Sequence, residues 1–302
     1  MAKLELGINN YFAVKRWPEP EEWLRIVKQE LGLSIAQFDL DLLDPHTIEP
    51  VRTEQARRIR DAAVKAGVRI QSVLTGGVGY HMSLLLHPDQ GMRESARDWF
   101  QNAARIAGVF GADGVGGPLG AVSAKDFPSK ERGSLILASV RESLHAIGSV
   151  AKQAGLTYLI WEANPIPREW PATMADAQRM YDYVNDGAPL PIRLLIDVGH
   201  ACNFEARGDD LDPYAWIRKL GRLCPIIHLQ QTDGKGDRHW PFTAEFNRLG
   251  IIEPKKVVDA IAASGADRMF LELEIIPSFE AREEQVLADL KASVDYWRKA
   301  VS

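Results

Sequence analysis

The sequence predicts one α/β domain, residues 1–302, folded as a closed (β/α)8 TIM barrel, and three observations predict it. First, a helical run, a glycine and a short apolar run recur in that order. They read VKQELGLSIAQFDL at 27–40, AAVKAGVRIQSVL at 62–74, ARIAGVFGADGVGG at 104–117, VAKQAGLTYLIWE at 150–162 and AIAASGADRMFLELE at 260–274. A glycine just past a helical run caps it in the left-handed conformation, and helices alternating with strands build a parallel sheet. Second, eight such apolar runs occur, each followed by enough chain for one helix and its loops. Third, the first run ends in NNYFAVKRWP, which is not the glycine-rich phosphate loop of an open doubly wound sheet. TGGVGY and GVGGPLG farther on fit neither phosphate-loop pattern.

The strands are read at about 3–9, 35–41, 68–74, 112–117, 157–162, 192–197, 225–231 and 268–275. The second, third, fourth, fifth and eighth follow a helix-ending glycine. The sixth, IRLLIDVGH, and the seventh, CPIIHLQQ, are identified by their Ile- and Leu-rich cores. A last helix over about 280–298 carries Leu287, Leu290, Val294 and Trp297 at helical spacing and would close the barrel.

Composition narrows the function. With 46% hydrophobic and 25% charged residues, disorder, collagen and coiled coil are excluded as the main architecture. The 36 basic against 41 acidic residues, net −5, argue against a nucleic-acid binder. Cys202 and Cys224 make no disulfide framework and no C-x-x-C motif, which suits a reducing compartment. The start MAKLELGINNYF lacks a signal-peptide core, and no run of 18 apolar residues occurs. The expected location is the cytoplasm, with no membrane partner.

In a parallel barrel, function sits where strands end at the C-terminal face. Glu162 closes the fifth apolar run. Asp197 follows the sixth, with His200 three residues on. His228 and Gln230 share one face of the seventh, and Asp233, Lys235, Asp237, Arg238 and His239 follow in a loop. Glu272 and Glu274 share one face of the eighth. Each alone reads equally as a strand-end ion pair, a core histidine or a solvated loop. Together they bring Glu, Asp, His or Gln, and Glu to one rim. Buried carboxylates side by side are costly unless a cation offsets them. The mixed set suits one divalent ion, Mn²⁺ first, with Mg²⁺, Co²⁺ or Zn²⁺ as alternatives. A phosphate would want Arg, Lys or backbone N–H groups. The candidates are Lys15, Arg16, Arg168, Lys235, Arg238 and His239, of which Arg168 lies on the proline-restricted loop PIPREWP near Glu162. Tyr11, Phe12, Trp17, Trp170, Trp240 and Phe242 could wall a small pocket.

These residues resemble the xylose-isomerase-like barrel superfamily of sugar and sugar-phosphate isomerases and epimerases. The carriers are Glu162, DVGH at 197–200, HLQQTDG at 228–234 and LELE at 271–274. More narrowly, YFAVKRWPEPEEW, LLHPD, GGPLGA, HLQQTDGKGDRHWPFT and DLKASVDYW are similar to the tetrulose-phosphate (erythrulose-phosphate) 3-epimerases of erythritol catabolism. The resemblance implies one metal held by Glu162, Asp197, a strand-seven residue (His228 or Gln230) and a strand-eight Glu, Glu274 ahead of Glu272. It also implies a substrate contact for His200. DRH at 237–239 echoes a metal cluster of endonuclease IV, but seven histidines and an acidic balance speak against DNA repair.

The function so implied is a metal-dependent ketose or ketose-phosphate 3-epimerase. Glu162 and Glu274 would remove and return the C3 proton through a stabilised enediolate. An aldose–ketose isomerase, an inosose-type dehydratase or lyase, and a non-catalytic sugar-binding barrel stay open as alternatives. The partner is a small sugar or sugar phosphate, and a homo-oligomer is open.

Overall fold

Eight parallel strands close into a barrel in chain order in the computed structural model, which describes residues 2–301. They are β1 (Lys3–Asn9), β2 (Ile35–Asp39), β3 (Arg69–Leu74), β4 (Gly114–Gly117), β5 (Tyr158–Ala163), β6 (Ile192–Asp197), β7 (Ile226–Leu229) and β8 (Arg268–Leu273). This is the fold class that the sequence predicts. The helix-ending glycines behave as read. Gly111 and Gly265 take φ of 69° and 78° at the ends of the helices Gln90–Phe110 and Pro254–Ser264. β7 is shorter than expected for a physical reason. Gln231 leaves the parallel ladder and pairs antiparallel with Trp240, folding the following loop back.

The chain forms two compact units. One comprises the residues up to Phe38, Asp61–Ile70 and those from Leu195 on; the other comprises Asp39–Arg60 and Gln71–Leu194.

In the first unit β1 pairs with β8, β8 with β7, and β7 with the end of β6. The register aligns Asp197, His228, Glu272 and Gly7 in one row across these four strands, and Asn9 beside Gln37 across β1 and β2. Outside, the helix Glu283–Val301 buries Leu290, Val294 and Trp297, with Phe242 edge-on to Trp297 at 5.3 Å. This helix starts later than the predicted 280. Its inward face takes Val286, and Leu287 is only half-buried.

In the second unit β4 lies between β3 and β5. β4 is nearly all glycine because its neighbours leave no room. A Cβ on Gly116 would stand 2.0 Å from the Ile160 carbonyl oxygen. The helices Gln90–Phe110 and Lys130–Gln153 pack on each other outside. Asp89 and Ser129 cap their first turns by accepting from Met92 and Arg132 N–H. Among the described residues no helix is long and apolar enough to cross a membrane.

Candidate metal centre and active site

Three buried donors converge in the first unit, at the ends of β6, β7 and β8. His228 Nδ1 lies 3.0 Å from Glu274 Oε2 and 3.9 Å from Asp197 Oδ2. Asp197 Oδ1 accepts the Gly199 N–H at 2.5 Å and the Gln230 amide at 2.9 Å. Its Oδ2 is buried with no hydrogen-bond partner among the described residues. Burial pushes the Asp197 carboxyl up to about 6, against the pull of His200 and His239.

The polarity of His228 is set from the backbone upward. Tyr11 N–H donates to Asn9 Oδ1 at 2.7 Å, so the other arm of the Asn9 amide is the donor. That arm donates to Gln37 Oε1 at 2.8 Å. The same Gln37 oxygen lies 2.8 Å from His228 Nε2, and an amide carbonyl can only accept, so Nε2 carries a proton. Nδ1 then faces two carboxylates. That arrangement needs a positive charge on or beside Nδ1, a proton or a cation, and the three atoms form a cation-ligating set. The donors fit a divalent ion of the hard-to-borderline kind.

Gln230 sits at a hub. Its carbonyl oxygen accepts Arg238 N–H at 3.1 Å and His239 N–H at 2.5 Å, and its NH₂ faces Asp197 and Asp237 at 2.9 and 2.6 Å. The one amide atom that ligates hard cations is thus engaged by backbone donors. Gln230 ties the 237–239 loop to β7. Gly199 permits this, since a Cβ there would stand 2.3 Å from the Gln230 amide carbon.

A second set of titratable groups, His200, Asp237 and His239, lies on that loop and after β6. Asp237 Oδ2 is 3.0 Å from His239 Nε2 and 3.4 Å from His200 Nε2. His239 Nδ1 lies 3.2 Å from the Glu274 carbonyl, to which it can only donate. Both ring nitrogens therefore meet acceptors, which is the geometry of an imidazolium. Burial opposes that charge, but Asp237 and then Glu274 outweigh it and raise His239 to about 9. Burial raises Asp237 too, and the two imidazoles more than reverse it, leaving it well below the usual carboxylate range. His239 takes φ 49°, a left-handed conformation that aims its ring at Asp237 and the Glu274 carbonyl.

Glu272 lies in the same register row as Asp197 and His228. It is fully buried, and both its oxygens are without hydrogen-bond partners among the described residues. Burial pushes it up to about 8, with only a partial pull back from His228. Gly7 makes the space: a Cβ there would stand 2.3 Å from Glu272 Oε2.

In the second unit Glu162 is fully buried on β5, and Tyr80 Oη donates to its Oε1 at 3.4 Å. Arg168 is held by the Val122 carbonyl at 2.8 Å. Of the expected phosphate contacts in the first unit, Arg238 forms a two-point pair with Asp233, both arms at 3.1 Å, and lies over Trp240. Lys235 is exposed, Lys15 lies over Phe279, and Arg16 donates to the Ser278 carbonyl. Phe12 and Phe242 are core residues. A cavity of about 280 Å³ in the second unit, lined among others by Asp44, His46, Met82, His87 and Trp99, contains none of the predicted site residues.

Asn9 and Gln37 are the residues that sequence reasoning missed. The signal was present: a lone Gln in the apolar strand IAQFD must find a partner when buried.

Residues 28–299 match the family described as the xylose isomerase-like TIM barrel. The D-erythrulose 1-phosphate 3-epimerase of Brucella abortus (strain 2308) is 31% identical over 298 residues, 97% of this chain and 95% of that protein. A protein of Rhodospirillum rubrum ATCC 11170, provisionally named a xylose isomerase, has a solved structure with TM-score 0.91 at 33% identity, covering 98% of this chain and 99% of that one. The D-psicose 3-epimerase of Clostridium cellulolyticum H10, solved with D-tagatose, has TM-score 0.72 at 15% identity and covers 99% of both chains, a likeness of fold alone.

Proposed function

The chain belongs to the xylose isomerase-like TIM barrel family, and from that premise we propose that it is a sugar isomerase of the epimerase type, a divalent-metal-dependent ketose-phosphate 3-epimerase. The carrying observation is His228 Nδ1 held against the Asp197 and Glu274 carboxylates, with Nε2 turned to the Gln37 carbonyl. In this reading Asp197, His228 and Glu274 hold the ion, Mn²⁺ first, with Glu162 as the further ligand that the family resemblance implies. His228, not Gln230, is the strand-seven ligand, because the Gln230 carbonyl is engaged by two backbone N–H groups. When bound, the ion supplies Lewis-acid stabilisation of negative charge on the ketose oxygens.

Glu162 and Glu274 do the proton work. One carboxylate takes the C3 proton, the C3–H electron pair moves toward the carbonyl, and the other carboxylate returns a proton to the opposite face. His200 and His239 contact substrate oxygens, with Asp237 holding both rings. Arg168 is the first choice for the phosphate. Lys235 and Arg238 are second choices, since Arg238 must give up Asp233 to serve. A four-carbon ketose phosphate is the proposed substrate, on the name of the Brucella relative. The cytoplasm is the proposed location.

The test is proton exchange in D₂O. The metal-loaded protein is incubated with a tetrulose phosphate and followed by NMR. Deuterium at C3 with growth of the other configuration is expected. Deuterium at C1 with an aldose phosphate would make the protein an aldose–ketose isomerase. No deuterium at any position, with metal bound, would overturn the reading.

A further inference from the structure

We propose that Asn9 and Gln37 are positioning residues that select the His228 tautomer, and that they thereby set the affinity of the centre for its cation. This rests on the metal reading above.

Each link of the chain has one allowed direction. A backbone N–H cannot accept, so Tyr11 fixes Asn9 Oδ1 as the acceptor. The Asn9 NH₂ then meets Gln37 Oε1, and a reversed Gln37 amide would set donor against donor. Gln37 Oε1 in turn requires the proton on His228 Nε2. Both amides are fully buried, so water cannot substitute for a lost partner. Neutral imidazole in solution carries its proton on either nitrogen. Here the wrong choice, a proton on Nδ1, would fill the ligating position. A carbonyl accepting from Nε2 also makes the opposite nitrogen a better electron donor. Packing alone does not explain the pair, since two apolar side chains would fill this row of the barrel without buried amides to satisfy.

The test reverses the polarity without changing the volume. Asn9→Asp keeps an acceptor for Tyr11 N–H but turns the donor arm into a second acceptor. Gln37 then has to present its NH₂ in both directions, and His228 Nε2 becomes the acceptor with the proton on Nδ1. Gln37→Met removes the acceptor outright. Affinity for Co²⁺, read by chelator competition on the full chain, is expected to fall about 10- to 100-fold in both variants. Imidazole ¹⁵N shifts of His228 in the metal-free wild type, which need no variant, are expected to show Nε2 protonated whatever the state of Nδ1. The opposite tautomer in the wild type would overturn the inference, as would unchanged Co²⁺ affinity in folded Asn9→Asp and Gln37→Met. Wild-type protein that binds neither Co²⁺ nor Mn²⁺ would instead overturn the metal reading, and the ¹⁵N spectrum would still report on the tautomer.

Discussion

Glu274 Oε2 faces His228 Nδ1 at 3.0 Å, from strands neighbouring each other in the barrel, and both groups are buried. A carboxylate and an imidazole nitrogen at that distance are stable together only with a proton or a cation beside them. In the proposed centre a bound cation would therefore stabilise the fold as well as serve the reaction. Saturating Mn²⁺ at about 100 times its Kd is expected to add roughly 2.7 kcal/mol, raising the thermal midpoint by several degrees over chelator-treated protein. Differential scanning calorimetry with and without metal checks this; coincident transitions would refute it.

In the proposed reaction two carboxylates divide the proton transfer, so each should fail in its own way. Glu162→Gln and Glu274→Gln are each expected to lower 3-epimerisation by about 10²- to 10⁴-fold. The remaining carboxylate can still take and return a proton on its own face. Each variant should then wash deuterium into C3 of one substrate configuration without inverting it, and the two variants should prefer opposite configurations. NMR of each pure configuration in D₂O reads this directly. The same preference in both variants would rule out the two-base assignment.

Much of this was legible in the sequence because strand ends in a barrel are chemically conspicuous. Asp197 after IRLLI and Glu274 after FLEL are charges where apolar runs stop. The choice between His228 and Gln230 was not legible, since both lie on one face of β7 and both can ligate. The proposal favours His228 because Arg238 and His239 return to the Gln230 carbonyl, through an antiparallel bridge at Gln231 and Trp240 that no local pattern announces. Arg238 read equally well as a phosphate contact. The structure turns it toward Asp233, five residues back, and that pairing depends on the loop's backbone path. Asn9 and Gln37 are 28 residues apart and become neighbours only through the β1–β2 register.

Asp237 and His239 form the ion pair of this loop, and its pH window follows from their shifts. His239, raised to about 9, contributes stability that is full below about 6.5 and lost as pH rises through 9. Asp237, lowered, contributes stability that is full above its ordinary 3.8 and lost as pH falls through its depressed value. Asp237→Asn should therefore cost most near pH 5–6, about 2–4 kcal/mol, and approach the wild type by pH 10. Urea unfolding across that range checks the window. His239 NMR should show its titration falling by more than one unit in the variant. An unchanged His239 titration would mean that Asp237 is not its counter-ion.

Glu272 should make the wild type lose stability with rising pH over the neutral range. Its side chain occupies the space over Gly7 with no hydrogen-bond partner among the described residues, so its neutral form is the one the barrel accommodates. Its value of about 8 against 4.5 for an unperturbed Glu means that the folded state holds a proton the unfolded chain has released. Between those values the folded state binds more protons, so stability falls by up to about 1.4 kcal/mol per pH unit. The contribution is full below 4.5 and gone once pH has risen through about 8. By pH 7 the accumulated loss is about 3 kcal/mol. Glu272→Gln keeps the volume beside Gly7 and removes the titration. Unfolding of chelator-treated protein at pH 5.5 and 7.5 should show the variant gaining on the wild type by about 2–3 kcal/mol as pH rises. Parallel stability curves would mean that Glu272 is already ionised in the folded protein, with a cation or proton donor beside it.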